Sequence, residues 1–262
     1  MTAPIAKVAI DAFRDQGFLV LEGFFEGDRM ADLAAAADRL YRHSGDELVH
    51  TSEGELQSIY GIHRIDGSLP GLLRQSGLLP FCEEIAGGPV YIFQSQLHDK
   101  PMSSTVLSWH QDFYAFSRFD GLADPRGLSV AVFLDEIRAH NAPISVIRRS
   151  HRKGVLTAER TMAVPRGPAG ALPAGESPDQ DGKHYEIDTA RVAELAHTQG
   201  VETITGPAGS VLFMDLNLVH ASGVSLLPER RAVLHFSMVS VEVGCRDPQR
   251  PEFVATRTVV PL

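Results

Sequence analysis

The chain has 262 residues, of which 44% are hydrophobic and 22% charged, and a formal net charge of −9. This is the profile of a globular protein that buries roughly 70–75% of its unfolded surface without disulfide staples. The acidic balance excludes the basic footprint of a nucleic-acid binder, and no apolar run approaches the ~20 residues that cross a bilayer. Two cysteines, Cys82 and Cys245, suggest neither a disulfide framework nor a Cys-rich metal site. The N-terminal stretch MTAPIAKVAIDAFRDQ carries charges where a signal peptide needs an apolar core, so the expected compartment is the reducing cytoplasm.

In chain order, residues 4–16 place Ile5, Val8, Ala9, Ala12 and Phe13 on one helical face, which Gly17 ends. FLVLEGFF, residues 18–25, reads as a buried strand. Asp28 is placed to cap a helix on which Met30, Leu33, Ala34, Ala37 and Leu40 recur. Residues 44–58 are polar, lack periodicity and read as loop. From Val90 onward, VYIFQSQLH, TVLSWHQDF, LSVAVFLDEI, APISVI, SVLFMDLNLV and AVLHFSMVSVEV are β-rich runs separated by turn residues, the spacing of an all-β sandwich or barrel. No helical pattern alternates with them, which disfavours a parallel α/β sheet. The expected fold is mainly β: a jelly roll, or double-stranded β-helix of cupin type, with helices from the first 60 residues packed outside. Residues 164–184, rich in Pro, Gly and polar side chains, read as a long loop, either a lid or an insertion. A short helix capped by Thr189, with Val192, Leu195 and Ala196 inward, follows it. No repeat and no domain boundary shows, so residues 1–262 read as one domain with its β core over 90–245.

The chemistry gathers around a few of the 11 histidines. His110 and Asp112 in SWHQDF are two residues apart, and on a strand they point to the same face. Two histidines and a carboxylate on one side of a metal make the facial triad of non-haem Fe(II) oxygenases. Alone the tripeptide says little, because chance supplies about 0.7 His-x-Asp in a chain of this composition. A strand histidine bonded to a nearby carboxylate is the plainer account. His220, at the end of a candidate strand, supplies the second imidazole, with Ser222 two residues on and Arg231 at the start of the next strand. If those strands are antiparallel neighbours, Arg231 and Ser222 line the cavity of His220. A guanidinium fork beside a hydroxyl suits a carboxylate. A metal with open positions beside such an anchor is what a 2-oxoglutarate cosubstrate needs.

Taken together, motifs in order along nearly the whole chain resemble the phytanoyl-CoA dioxygenase superfamily of Fe(II)/2-oxoglutarate oxygenases. Within it the likeness is to small bacterial amino-acid hydroxylases, such as proline 4-hydroxylase and leucine hydroxylase, and to ectoine hydroxylase. The motifs are YGIHR at 60–64, VYIFQSQLHDKPM, WHQDF with the DG at 120–121, LSVAVFLDE, NAPI at 141–144, Ser150-His151, GPAGSVLFMD, VHASG with the later Arg231, and RPEFVATR. The resemblance implies that His110, Asp112 and His220 ligate iron and that Arg231 and Ser222 bind the distal carboxylate of 2-oxoglutarate. It puts Gln94 and Ser129 in the cosubstrate pocket. Trp109 and Phe113 would wall the active site, and His63, Arg64, Phe116, Arg118 and His98 fall in segments facing the substrate. Arg64 or Arg118 would pair with an amino acid's carboxylate.

Some positions depart from the family pattern. Gln96 and His98 stand where a basic residue and an Asn are usual, Ala142 where a Gly is usual, and Phe116 where a Trp is frequent. Arg148-Arg149 replaces a usual Pro-Gly and reads as a solvated rim or as an attractor for an anionic substrate. Asp112 argues against a halogenase, which leaves that position small. The implied reaction is decarboxylation of 2-oxoglutarate by O2, giving succinate and CO2, coupled to hydroxylation of an unactivated C–H. The expected substrate is a small molecule, a free amino acid or close derivative. A natural-product tailoring or ectoine-type hydroxylase is the alternative, and a jelly-roll binding protein without catalysis is disfavoured by the intact ligands and Arg231. No membrane or nucleic-acid partner is expected, and the oligomeric state is left open.

Overall fold

The computed structural model describes residues 7–104, 106–156 and 186–262. The expected loop at 164–184 and Ile5 lie outside these residues. Helix α1 (Lys7–Gln16) ends where Gly17 turns to a φ of 84°. Its buried side carries Phe13, with Ile10 packed beside it, whereas Val8 is 79% exposed; the expected face is therefore rotated. Strand β1 (Phe18–Leu21) is shorter than FLVLEGFF suggested, because the chain turns at Gly23, whose φ is 57°. Helix α2 (Gly27–Leu40) buries Leu33, Ala36, Ala37 and Leu40, with Ala34 outward. Its cap position is Glu26, without a side-chain cap bond. Asp28 lies inside the first turn, where its charge suits the helix dipole rather than capping it.

The polar stretch read as loop holds a hairpin, β2 (Leu48–His50) and β3 (Leu56–Tyr60). Their brevity explains the weak pattern, together with the edge position of β2, which has β3 as its one partner. Three short helices follow, α3 (Ile62–Ile65), α4 (Ser68–Ser76) and α5 (Leu79–Ala86).

Strands β4 (Val90–Asp99), β5 (Leu107–His110), β6 (Gly127–Phe133), β7 (Ile144–Ile147), β8 (Val201–Ile204), β9 (Val211–Asp215), β10 (His220–Ser222) and β11 (Ala232–Ser240) then build two antiparallel sheets. Helix α6 (Asp112–Asp120) follows β5, and α7 (Thr189–Gln199) precedes β8. The larger sheet runs β1-β9-β6-β11-β4-β3-β2 and the smaller β5-β10-β7-β8. Facing antiparallel sheets with this crossed order are the expected jelly roll. Helix α7 is capped by Asp188, whose carboxylate accepts the Arg191 N–H, so Thr189 is its first helical residue and not its cap.

Alternation along the large sheet decides what each face buries. Val130, Val132, Phe213, Leu234 and Phe236 point outward and pack under Phe13, Leu33, Leu40, Leu73 and Phe81 of the helices. Ala131, Phe133, Leu212, Met214 and Val233 point inward onto Ile144, Val146 and Ile204 of the small sheet. One part of the inner face breaks this apolar rule: Gln94, Gln96 and His98 follow one another at period two on β4, the two amides buried and His98 half-buried, beside His235 and Ser237 of β11. A polar patch inside an apolar barrel locates the site. Among the described residues no helix is long and apolar enough to cross a membrane.

Candidate metal centre

His110 and His220 are direct cross-strand partners in the β5–β10 ladder. The His110 Nδ1–H donates to the Ser108 carbonyl at 2.7 Å, and the His220 Nδ1–H to the Leu218 carbonyl at 2.9 Å. A carbonyl only accepts, so each Nδ1 carries the proton and each Nε2 is left as a lone pair. Both Nε2 atoms lie 3.7 Å from Asp112 Oδ1. One ligating atom from each of the three side chains falls within 4.8 Å of the other two. Asp112 is not on a strand: β5 ends at His110, and Asp112 opens α6. The alternation survives because Gln111 between them is extended, with φ −124° and ψ 132°. Burial raises the Asp112 pKa, but His220, His235, His110 and a bond from Ser129 together lower it below the usual range. The carboxylate is held ionised, as a metal ligand must be.

Ser129 does not line the cavity. Its hydroxyl donates to Asp112 Oδ2 at 2.6 Å and pairs with Ser237 at 3.2 Å, so it orients the carboxylate from behind. The cavity beside the three side chains is lined by the amides of Gln94 and Gln96, by His98, Lys100, His235, Ser222 and Arg231, and by Leu107, Phe116, Ile144 and Met214, among others. Arg231 is 2% exposed, and its Nε and Nη2 have no hydrogen-bond partner; Gln94 Oε1, also buried, has none either. Burial brings the Arg231 pKa down to about 10, against the opposing pull of Asp99 and Asp135. A buried guanidinium with two unpaired nitrogens is costly without an anion. These residues fit a metal ion with a dicarboxylate beside it.

Lys100 and His235 were not singled out by their sequence. Burial and the Arg231 charge lower the Lys100 pKa to about 7. The signal that would have found Lys100 is the period-two row Gln94, Gln96, His98, Lys100, which places it on the cavity face. His98 pairs through Nδ1 with Ser58 Oγ at 3.0 Å. Burial first, then His235, Lys100 and Arg231, push its pKa well below the ordinary value, which keeps it neutral.

Five expected pocket residues lie elsewhere. Arg64 is half-exposed and ion-paired with Glu252 at 3.2 Å. His63 bonds Ser95 Oγ at 2.6 Å, and burial followed by the Arg64 charge lowers its pKa to about 4. Trp109, adjacent to His110, faces the other side of β5 and packs with Ile147, Val192 and Val219. Phe113 packs among Tyr91, Phe93 and Leu122, and Arg118 is exposed on α6. Phe116 does line the cavity. It stands edge-on to Phe93 at 4.8 Å and carries the Arg250 guanidinium over its ring at 5.5 Å. Arg148 pairs with Glu202, and Arg149 with Asp15 at 2.7 Å; their charges are neutralised locally, as in the solvated-rim reading.

Against known proteins, residues 13–231 match the family model of phytanoyl-CoA dioxygenase (PhyH). The ectoine dioxygenase of Sphingopyxis alaskensis is 32% identical over 97% of this chain and 84% of its own length. The L-proline trans-4-hydroxylase of Streptomyces griseoviridis is 27% identical over 100% and 96%. The crystal structure of EctD from S. alaskensis with 2-oxoglutarate and 5-hydroxyectoine superposes with a TM-score of 0.80 at 31% identity, covering 97% of this chain and 85% of that one; the same enzyme has been solved with bound Fe. The facing sheets, the convergent triad and these likenesses agree: the chain belongs to the phytanoyl-CoA dioxygenase (PhyH) family and is an Fe(II)/2-oxoglutarate-dependent dioxygenase.

Proposed function

We propose that the chain hydroxylates an unactivated C–H of a free amino acid or close derivative, consuming O2 and 2-oxoglutarate and releasing succinate and CO2. The observation that carries this reading is the triad His110, Asp112 and His220, within 4.8 Å, in the same cavity as the unpaired Nε and Nη2 of Arg231. Bound iron and 2-oxoglutarate would supply the O2-derived oxidant that the protein's own side chains lack. Three ligands on one side leave the other side open to cosubstrate and oxygen. Arg231, with Ser222, takes the distal carboxylate of 2-oxoglutarate, and the buried Lys100 adds a second positive charge at that end. Gln94 Oε1 waits for a donor. Leu107, Ile144 and Met214 keep water from the reacting end, and Phe116 sets the wall against which one C–H is held.

A second reading, a cyclic ectoine-type derivative as substrate, draws support from one observation. Arg64 and Arg118, the expected anchors for a substrate carboxylate, lie outside the cavity. Among the described residues the inner row of β4 offers the neutral groups Gln94, Gln96 and His98 instead. Such a row recognises its ligand by hydrogen bonds rather than by charge. The two free thiols suit a reducing cytoplasm. The test is succinate release with Fe(II) and 2-oxoglutarate across the 20 amino acids, imino acids and cyclic derivatives, with product mass read for a gain of one oxygen. Turnover with one of these and a gain of one oxygen is expected. Iron-loaded protein that releases no succinate with any of them would overturn the proposal.

A further inference from the structure

Each imidazole of the triad is aimed by a backbone carbonyl, Ser108 for His110 and Leu218 for His220. The Leu218 carbonyl belongs to the turn over 215–220, and that turn is gripped on both sides of residue 218. On one side Gln111, 1% exposed and seated between His110 and Asp112, donates from Nε2 to the Asn217 carbonyl at 2.5 Å. The same amide donates to the Gly154 carbonyl at 2.9 Å and accepts the Leu156 N–H at 2.7 Å. Both its N–H bonds and its oxygen are thus spent on backbone. On the other side the hydroxyl of Ser150, fully buried, accepts the Val219 N–H at 2.8 Å. Gln111 sits in the chain arm that carries His110 and Asp112. The 150–156 segment, anchored to that arm through Gln111, reaches across to the arm that carries His220.

We propose that Gln111 and Ser150 are positioning residues of the metal centre: together they clamp the peptide units on either side of Leu218, so that its carbonyl aims His220 Nε2 at the point faced by His110 and Asp112. The clamp's hydrogen bonds touch no ligand atom, and they reach His220 through Leu218. The proposal rests on the reading of the triad as a metal site. Outer hydrogen-bond partners of metal ligands are worth about 10–100-fold in metal affinity.

The experiment titrates Co(II) into the metal-free full-length chain, without 2-oxoglutarate, by calorimetry and by the visible absorption of the bound ion. Melting of the metal-free protein is recorded in parallel. The variants are Gln111→Leu, near in volume but without hydrogen bonds, Ser150→Ala, and the pair combined. Ser76→Ala is the control. That buried hydroxyl also accepts a backbone N–H, from Leu78 at 3.1 Å, in α4 and outside the cavity. Each single clamp variant is expected to weaken Co(II) binding about tenfold and to alter the absorption band, and the pair to weaken it more. Ser76→Ala should melt earlier yet bind Co(II) as the wild type does. If Gln111→Leu does not fold, Ser150→Ala decides alone. Folded clamp variants with wild-type affinity and spectrum would overturn the clamp while leaving the metal site standing. A wild-type chain that binds no Co(II), or binds it equally after His110→Ala, would overturn both.

Discussion

His110→Ala and Asp112→Ala should each abolish iron-dependent succinate release while leaving the metal-free protein folded, because the large apolar clusters on both faces of the main sheet carry the fold. Melting curves and succinate assays on the same preparations check this. Arg231→Ala should act differently: a charge-assisted carboxylate contact contributes about 1.5–3 kcal/mol, so the 2-oxoglutarate requirement should rise about tenfold to a hundredfold. An unchanged requirement would sink the cosubstrate assignment. Lys100 makes a pH prediction. Its folded pKa of about 7 lies below the ordinary 10.5, so between those values the unfolded chain binds the extra proton and stability rises with pH. Lys100→Met should therefore melt higher than the wild type near pH 7 without ligands, and the gap should narrow towards pH 10. The ligands, Ser222 and Arg231 were legible in the sequence, but strand pairing is not what brings Ser222 and Arg231 together. The strands at His220 and Arg231 are not antiparallel neighbours as expected: β10 pairs with β5 and β7 in the small sheet and β11 with β4 and β6 in the large one, so Ser222 and Arg231 meet in one cavity across the facing sheets. Arg64, Arg118 and Trp109 were not legible, because a motif fixes a segment's place in the chain and not the side on which a given residue projects. Trp109 and His110 are adjacent on β5 and face opposite ways.

At the scale of elements, two of the described residues sit in the left-handed region without being glycine, Ala142 and Arg149, each with φ 59°. Both stand where the family pattern has a Gly. The conformation costs a side-chain-bearing residue about 1–2 kcal/mol, and glycine's extra chain entropy returns about 0.5–1 kcal/mol of that. Ala142→Gly should thus stabilise the protein by about 0.5–1 kcal/mol in urea unfolding, with no change in activity assays. A loss of stability would show that Ala142 earns its place by packing. Arg149 differs: its ion pair with Asp15 ties the 3-10 turn Ser150–Lys153 to α1, so the same exchange there should gain less. The long strands β4, β6, β9 and β11 could be read directly because each buries both faces. The β2–β3 hairpin could not: its strands are three and five residues long, and β3 is held in the sheet by pairing with the distant β4. Capping was misread at both helices where it was assigned, since Asp28 and Thr189 each lie inside the first turn. Sequence alone offers several polar residues in a row, and the turn geometry chooses among them.

For the whole molecule, a metal ion and a dicarboxylate that bind only the folded state should raise its melting temperature together. At a hundredfold excess over the dissociation constant the gain is about 2.7 kcal/mol, or about 5–10 °C for a chain of this size, and His110→Ala should erase it. The acidic net charge does not describe the cavity, whose lining holds the basic side chains of Arg231 and Lys100 inside an anionic whole. The cross-strand pairing of His110 with His220 has a consequence for how the enzyme matures. The two imidazoles are 110 positions apart in the sequence, and only the closing of β5 on β10 brings them together. A growing or unfolded chain therefore has no chelating pocket to offer. Iron becomes the last component added, arriving at a barrel that has already assembled. In a cell short of iron, this protein should accumulate folded and idle, ready to be switched on by metal supply rather than by new synthesis.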